Sequence, residues 1–239
     1  MWIALLFTVA IIGVGVAVWL NYRLKQKRRE GLFLFAQGQG LEYSREDTAS
    51  IDRSYAFHLF GMGDGRGCEN VLSGVWNGLP VREADYWYYT KTSDGKGNTS
   101  KDYSYFSIVV ADLTCAIPPI SIQRETLFSR VAERIGFPDI TFESEAFNRA
   151  FRVRAEDREF AYQLVDARMM QWLLSTGDEF GFEAVGPNLL TCCRRRKPTE
   201  LIPLLGAAKL FNDHIPNLVR TEYGFAKPGK PDQTERSPT

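Results

Sequence analysis

Several stretches of this chain carry residue types that could do chemistry. Gly61-Met62-Gly63-Asp64-Gly65-Arg66-Gly67 places a glycine at every second position, and glycines let backbone N–H groups approach a phosphate. The spacing fits neither G-x-G-x-x-G nor G-x-x-x-x-G-K-S/T, and no clear strand leads into it, so a mobile connection is the stronger reading. Glu143 and Glu145, with Asp139 and Glu156 nearby in sequence, are the carboxylates that acid–base work or Mg²⁺ binding would use. No histidine, Asp-x-Asp or G-x-S-x-G accompanies them, which favours surface charge and helix capping. The four cysteines, Cys68, Cys115, Cys192 and Cys193, form no C-x-x-C pair, and the two histidines, His58 and His214, lie far apart. The four-ligand spacing of a zinc site is therefore missing. No catalytic residue, metal or cofactor is expected.

Two further groups suit binding better than catalysis. Arg194-Arg195-Arg196-Lys197 could meet phosphates or an acidic partner, or simply end a strand in solvent. Tyr86-Trp87-Tyr88-Tyr89 and Tyr103-Ser104-Tyr105-Phe106 are dense in aromatics. On strands, half of these rings face the core and half remain available to a partner. The candidate partner surface is accordingly Trp87, Tyr89, Arg194, Arg195, Arg196 and Lys197.

The elements that must position these groups begin with an uncharged, apolar run from Trp2 to Leu20, followed at once by Arg23, Lys25, Lys27, Arg28 and Arg29. At about 1.5 Å per helical residue this run approaches the ~30 Å hydrocarbon core of a bilayer. Charge after the run and no small-residue cleavage site argue for a retained anchor over a signal peptide. The basic collar would lie against anionic headgroups and keep the following domain cytoplasmic, with a short N-terminus outside. Gly13 and Ala17 form a small-xxx-small pair through which two such helices could associate. The chain balances 29 basic against 29 acidic residues. With the collar set aside the remainder is acidic on balance, which argues against nucleic-acid binding.

Residues 23–39 read as a juxtamembrane helix ended by Gly38 and Gly40. Asn77-Gly78 sits between two strand-like runs and predicts a type I′ hairpin, extended by residues 103–113 into a three-stranded antiparallel meander. Further on, Leu127 to Ile135 shows a helical stripe. Asp157 is a predicted N-cap for a helix carrying Phe160, Ala161, Leu164, Val165, Met169, Trp172 and Leu173. Residues 180–194 read as a second hairpin around Gly186-Pro187-Asn188. Thr199 begins a final helix carrying Leu201, Leu204, Leu205, Ala208 and Phe211, with Pro203 in its first turns.

The segment Phe142-Glu143-Ser144-Glu145-Ala146-Phe147-Asn148-Arg149-Ala150-Phe151-Arg152-Val153, followed by Asp157, Phe160-Ala161-Tyr162 and Arg168-Met169-Met170, resembles an uncharacterised bacterial family of N-terminally membrane-anchored proteins. Asn70-Val71-Leu72-Ser73-Gly74 and the tyrosine-rich hairpin add to the likeness, which covers roughly residues 23–215. The resemblance implies a bacterial, single-pass protein facing the cytoplasm, and no activity.

The sequence thus predicts an α+β fold: a transmembrane helix over residues 1–22, a basic juxtamembrane helix over 23–40, and a cytoplasmic domain over 41–224. In that domain antiparallel hairpins and a meander pack against several helices, with a possible sub-boundary near 114–123. Residues 225–239 form a disordered tail. The expected location is the cell membrane. The expected function is that of a tethered binding or scaffold module engaging a protein partner or the anionic membrane surface. The alternative is a hydrolase or nucleotide-dependent enzyme using acidic residues around 143–157.

Overall fold

The computed structural model describes residues 2–94, 97–124, 136–176 and 179–225, with residues 3–10 in backbone only. The predicted helical stripe over 127–135 and the tail over 226–239 lie outside the described residues.

The predicted fold class needs correction in two places, the N-terminal helix and the strands. The N-terminal apolar run and the basic segment form one unbroken helix, α1 (Trp2–Gln39), instead of an anchor followed by a separate helix. Among the described residues no helix is long and apolar enough to cross a membrane. The apolar run of α1 ends at Leu20. Beyond it α1 is charged, and its last third is a core element: Leu32 and Ala36 are buried against the sheet. The N–H of Leu41 returns to the Ala36 carbonyl at 2.8 Å and closes the helix.

The second correction concerns the strands. One mostly antiparallel seven-stranded sheet replaces the separate hairpins. It comprises β1 (Glu42–Glu46), β2 (Gly65–Trp76), β3 (Leu79–Ser93), β4 (Thr99–Arg124), β5 (Asp139–Ile140), β6 (Phe151–Ala155) and β7 (Gly181–Arg194). The strands run in the order β1-β2-β3-β4-β6-β5, with β7 also paired to β4. The β2–β3 hairpin turns at Asn77-Gly78, both with positive φ, as the type I′ reading requires.

The 180–194 segment does not turn back. It is a single strand that follows β4 along most of its length. A type I′ turn needs two successive positive φ values; only Gly186 has one, and Pro187 cannot supply the next. Gly186 instead breaks the ladder beside an irregular stretch of β4 between Asp112 and Ile120. There the two strands exchange faces. Val109, Ala111 and Leu189 belong to the α1 side, and Ile108, Val110 and Leu190 to the other. Past the irregularity Ile120, Ile122, Phe182 and Ala184 join the α1-side core. The stretch 114–123 lies within β4.

Helices cover the larger core: α3 (Glu145–Ala150), α4 (Arg158–Leu164), α5 (Ala167–Ser175), α6 (Ile202–His214) and α7 (Asn217–Glu222). Asp157 caps α4 through the N–H groups of Glu159 and Phe160, as its position predicts. The apolar stripe after it is broken at Val165, where Asp166 caps a second helix by accepting from Met169. In α6, Leu204, Leu205, Ala208 and Phe211 are buried, and Pro203 sits in the first turn. The opposite sheet face carries a thin cover made of α2 (Ile51–Ser54) and a 3₁₀ turn at His58–Gly61. Phe57, Leu59 and Phe60 pack there on Tyr86 and Phe106. Cys192 and Cys193 point to opposite cores, as adjacent strand residues must.

A buried acid fastens that cover. Glu183 accepts from the His58 N–H at 2.6 Å, and also from Leu59 N–H and Gln123 Nε2. Burial outweighs these bonds and pushes its carboxyl up to about 7, from an ordinary value of 4.5. The folded state therefore prefers the protonated acid. Its stabilising contribution is fullest below about pH 4.5 and is lost as pH rises through about 7, a change of about 3 kcal/mol. Glu183→Gln should flatten the stability–pH curve over that window in urea melts; an unchanged slope would contradict the assignment.

Candidate functional site

The strand β3 places Val81, Glu83, Asp85, Trp87 and Tyr89 on the face that α1 crosses. Near α1 this face is charged and buried; toward the β3–β4 tip it is aromatic and open. Asp85 is the centre of the buried part. Arg28, on α1, grips it with both Nε (2.7 Å) and Nη2, and donates Nη1 to the Arg196 carbonyl at 2.6 Å. Arg195, at the end of β7, adds Nη2 at 2.8 Å. Asn70 donates Nδ2 at 2.9 Å and in turn accepts from the Tyr43 hydroxyl at 2.9 Å. Asn70 reaches this position because β2 bulges between Glu69 and Leu72, with Asn70 at φ +56°, a conformation that asparagine tolerates.

Burial alone would push the Asp85 carboxyl up. The Arg28 and Arg195 guanidinium groups reverse that and hold it below the ordinary carboxylate range. Glu83, two residues earlier and fully buried, has no hydrogen-bond partner on either carboxyl oxygen. Burial, and then the Asp85 charge, push its pKa well above the ordinary carboxylate value. Two acids on one strand face are thus shifted in opposite directions by their surroundings.

The open part is a ladder of four rings from β3 and β4. Trp87 stacks on Tyr89 (centroids 6.3 Å apart, 10° between planes), and Tyr103 stacks on Tyr105 (6.0 Å, 13°). Cross-strand contacts at 5.9 Å (Trp87–Tyr103) and 5.3 Å (Tyr89–Tyr103) join the two pairs. Tyr103 and Tyr105 are 44% and 46% exposed. Lys101 lies 4.4 Å over the Tyr89 ring and Arg195 5.4 Å over that of Tyr105, so cations border the ladder at both ends.

The glycine-rich segment finds its reason here. Gly65 and Gly67 pair with Tyr89 and Trp87 across β2–β3. A Cβ on Gly65 would come within 2.5 Å of the Tyr89 ring, and one on Gly67 within 3.2 Å of Trp87. These glycines are the floor on which the rings lie, and the segment from Gly65 onward is strand, neither a mobile connection nor a phosphate cradle.

The other predicted site residues separate. Arg23, Lys25 and Lys27 are exposed, with Arg23 5.5 Å over the Trp19 ring. Arg28, expected at a membrane surface, turns inward to Asp85, and Arg29 is half-buried. Of the basic run, Arg194 alone is exposed without an ion pair among the described residues. Arg195 turns to Asp85 and Glu69, Arg196 pairs with Glu179 at 2.6 Å, and Lys197 lies 3.8 Å from Glu200. The acidic residues of the enzyme alternative do not converge. Glu145 pairs with Arg149, Asp139 with Arg152 and Arg154, and Asp157 caps α4. A cleft of about 350 Å³ beside β5 and β6 is lined by one carboxylate, Asp139. Sequence reading missed the Asp85 cluster; its one signal was a Glu-x-Asp pair on the inward face of an otherwise apolar and aromatic strand.

Asp85→Ala would strand two guanidinium groups and should destabilise the protein by about 3–5 kcal/mol in urea unfolding. Glu83→Leu, which removes an unpartnered buried polar group, should leave stability unchanged or raise it. The reverse order of the two effects would contradict this description of the cluster.

No family model matches this chain, and no curated protein matches it. Among solved structures, the crystal structure of the mycobacterial trehalose monomycolate transport factor A, TtfA, is similar. Its TM-score is 0.59 at 12% sequence identity, over 78% of this chain and 93% of that one. At that identity the likeness is one of fold.

Proposed function

We propose that this chain is a binding or scaffold module whose aromatic ladder docks a protein partner. The observation that carries the reading is the Trp87–Tyr89–Tyr103–Tyr105 ladder: four rings held on a rigid sheet, partly open, and bordered by Lys101 and Arg195. Tyrosine, tryptophan and arginine are the side chains that most often carry binding energy at interfaces, and rings fixed in advance lose little entropy on docking. The fold shared with a protein named as a transport factor supports a binding or scaffold role connected with transport. Asp139, Glu145 and Asp157 are engaged in ion pairs and a helix cap, which takes support from the enzyme reading.

The partner would be recognised through flat apolar or π surface and through acidic groups reaching Lys101, Arg194 and Arg195. Tyr103→Ala with Tyr105→Ala removes half-exposed rings without opening the core. In affinity capture from crosslinked cells, the double variant should lose the partner by at least about thirtyfold, the effect of a hot spot of 2 kcal/mol or more, while its melting temperature stays near the parent's. Equal capture by the parent and the folded variant would overturn the proposal.

A further inference from the structure

A cleft of about 440 Å³ lies at the β1–β2 edge of the sheet, between α1 on one face and α2 on the other. Arginines from four elements line it: Arg29 of α1, Arg45 of β1, Arg53 of α2 and Arg66 of β2. Its acids are Glu46, Asp47, Asp52 and Glu69, and most have other duties. Asp47 accepts the Ile51 N–H at 2.7 Å, and the N–H groups of Ala49 and Ser50 also bond to it. Asp52 lies 3.9 Å from Arg66, and Glu69 is 3.6 Å from Arg195. Among the described residues Arg29, Arg45 and Arg53 have no ion-pair partner, and Glu46 is the one lining acid left uncommitted. Arg29, Arg45 and Arg53 thus bring guanidinium donors from three elements to one concavity without an ion pair among the described residues, and an anion can take those donors.

We propose that this cleft binds a phosphoryl group, held by Arg29, Arg45 and Arg53. The guanidinium fork matches phosphate oxygens in pairs, and donors from three elements can surround a tetrahedral anion as one arginine cannot. The cleft is larger than a bare phosphate needs, so the phosphoryl group can carry a substituent. A lipid headgroup and a free phosphate compound share this chemistry.

The native Cys68 reports on the site. It lines the cleft, and it is the one cysteine of the four that is not buried. The test measures the rate of Cys68 alkylation by N-ethylmaleimide in the full chain. The additions are sodium phosphate at constant ionic strength, phosphatidylcholine vesicles, and the same vesicles carrying phosphatidylglycerol. Slower alkylation with phosphate establishes the site for a free phosphate compound; protection by the phosphatidylglycerol vesicles alone establishes it for a headgroup. Either protection should weaken about tenfold or more in Arg45→Gln/Arg53→Gln. It should persist in Arg149→Gln/Arg158→Gln, which loses equal charge elsewhere. The proposal is overturned if neither phosphate nor the phosphatidylglycerol vesicles slow alkylation, if plain phosphatidylcholine vesicles protect as well as those carrying phosphatidylglycerol while phosphate does not protect, or if the two double variants behave alike.

Discussion

Asp85 is almost wholly withdrawn from solvent, and it keeps its charge there because Arg28 and Arg195 reach it from two other elements. The three side chains tie α1, β3 and the end of β7 into one body. An isolated charge at that depth would be too costly to keep, so the helix and the two strands hold their mutual positions or the cluster fails. Asn70 completes the shell only because β2 bulges at that point, which makes the bulge part of the same device. Glu83, next on the same face, is pushed well above the ordinary carboxylate value by burial and by the Asp85 charge.

That fastening determines which surfaces remain for binding. Because Arg28 holds α1 over the inner part of β3, Leu32 and Ala36 complete the core and the outer part of the same face stays uncovered. The rings of Trp87, Tyr89, Tyr103 and Tyr105 fill that outer part, Tyr89 against Gly65 and Trp87 against Gly67. Arg28 faces inward to the cluster, while the next residue, Arg29, lines the arginine-rich cleft on the side of β1. Both proposed surfaces follow from how one helix is seated on one sheet.

What could be read from the sequence was local. The Asn77-Gly78 turn, the end of α1 near Gly40, the Asp157 cap and the buried stripe of α6 each depend on residues a few positions apart, and each is present. The alternation of rings between the two faces of β3 and β4 was legible for the same reason: Tyr86 and Tyr88 are buried and Trp87 and Tyr89 lie on the other face. The failures were non-local. Gly186-Pro187-Asn188 has the composition of a turn, but pairing with β4 keeps the strand extended. The apolar run of α1 was read as an anchor in isolation, whereas the helix continues unbroken into a segment whose Arg28 and Leu32 are claimed by the sheet. Of the candidate surface, Trp87 and Tyr89 proved to be half of a ladder that Tyr103 and Tyr105 complete. Arg195 and Arg196 proved to be structural partners of Asp85 and Glu179.

The most direct test of this account is native-state hydrogen exchange along α1. If Arg28 and Arg195 fasten the helix to the sheet through Asp85, the amides of residues 28–39 should exchange only with global unfolding, as slowly as the paired amides of β3 and β4. If those amides exchange far faster than the sheet, like a helix fraying on its own, α1 is not fastened by the cluster and the account fails.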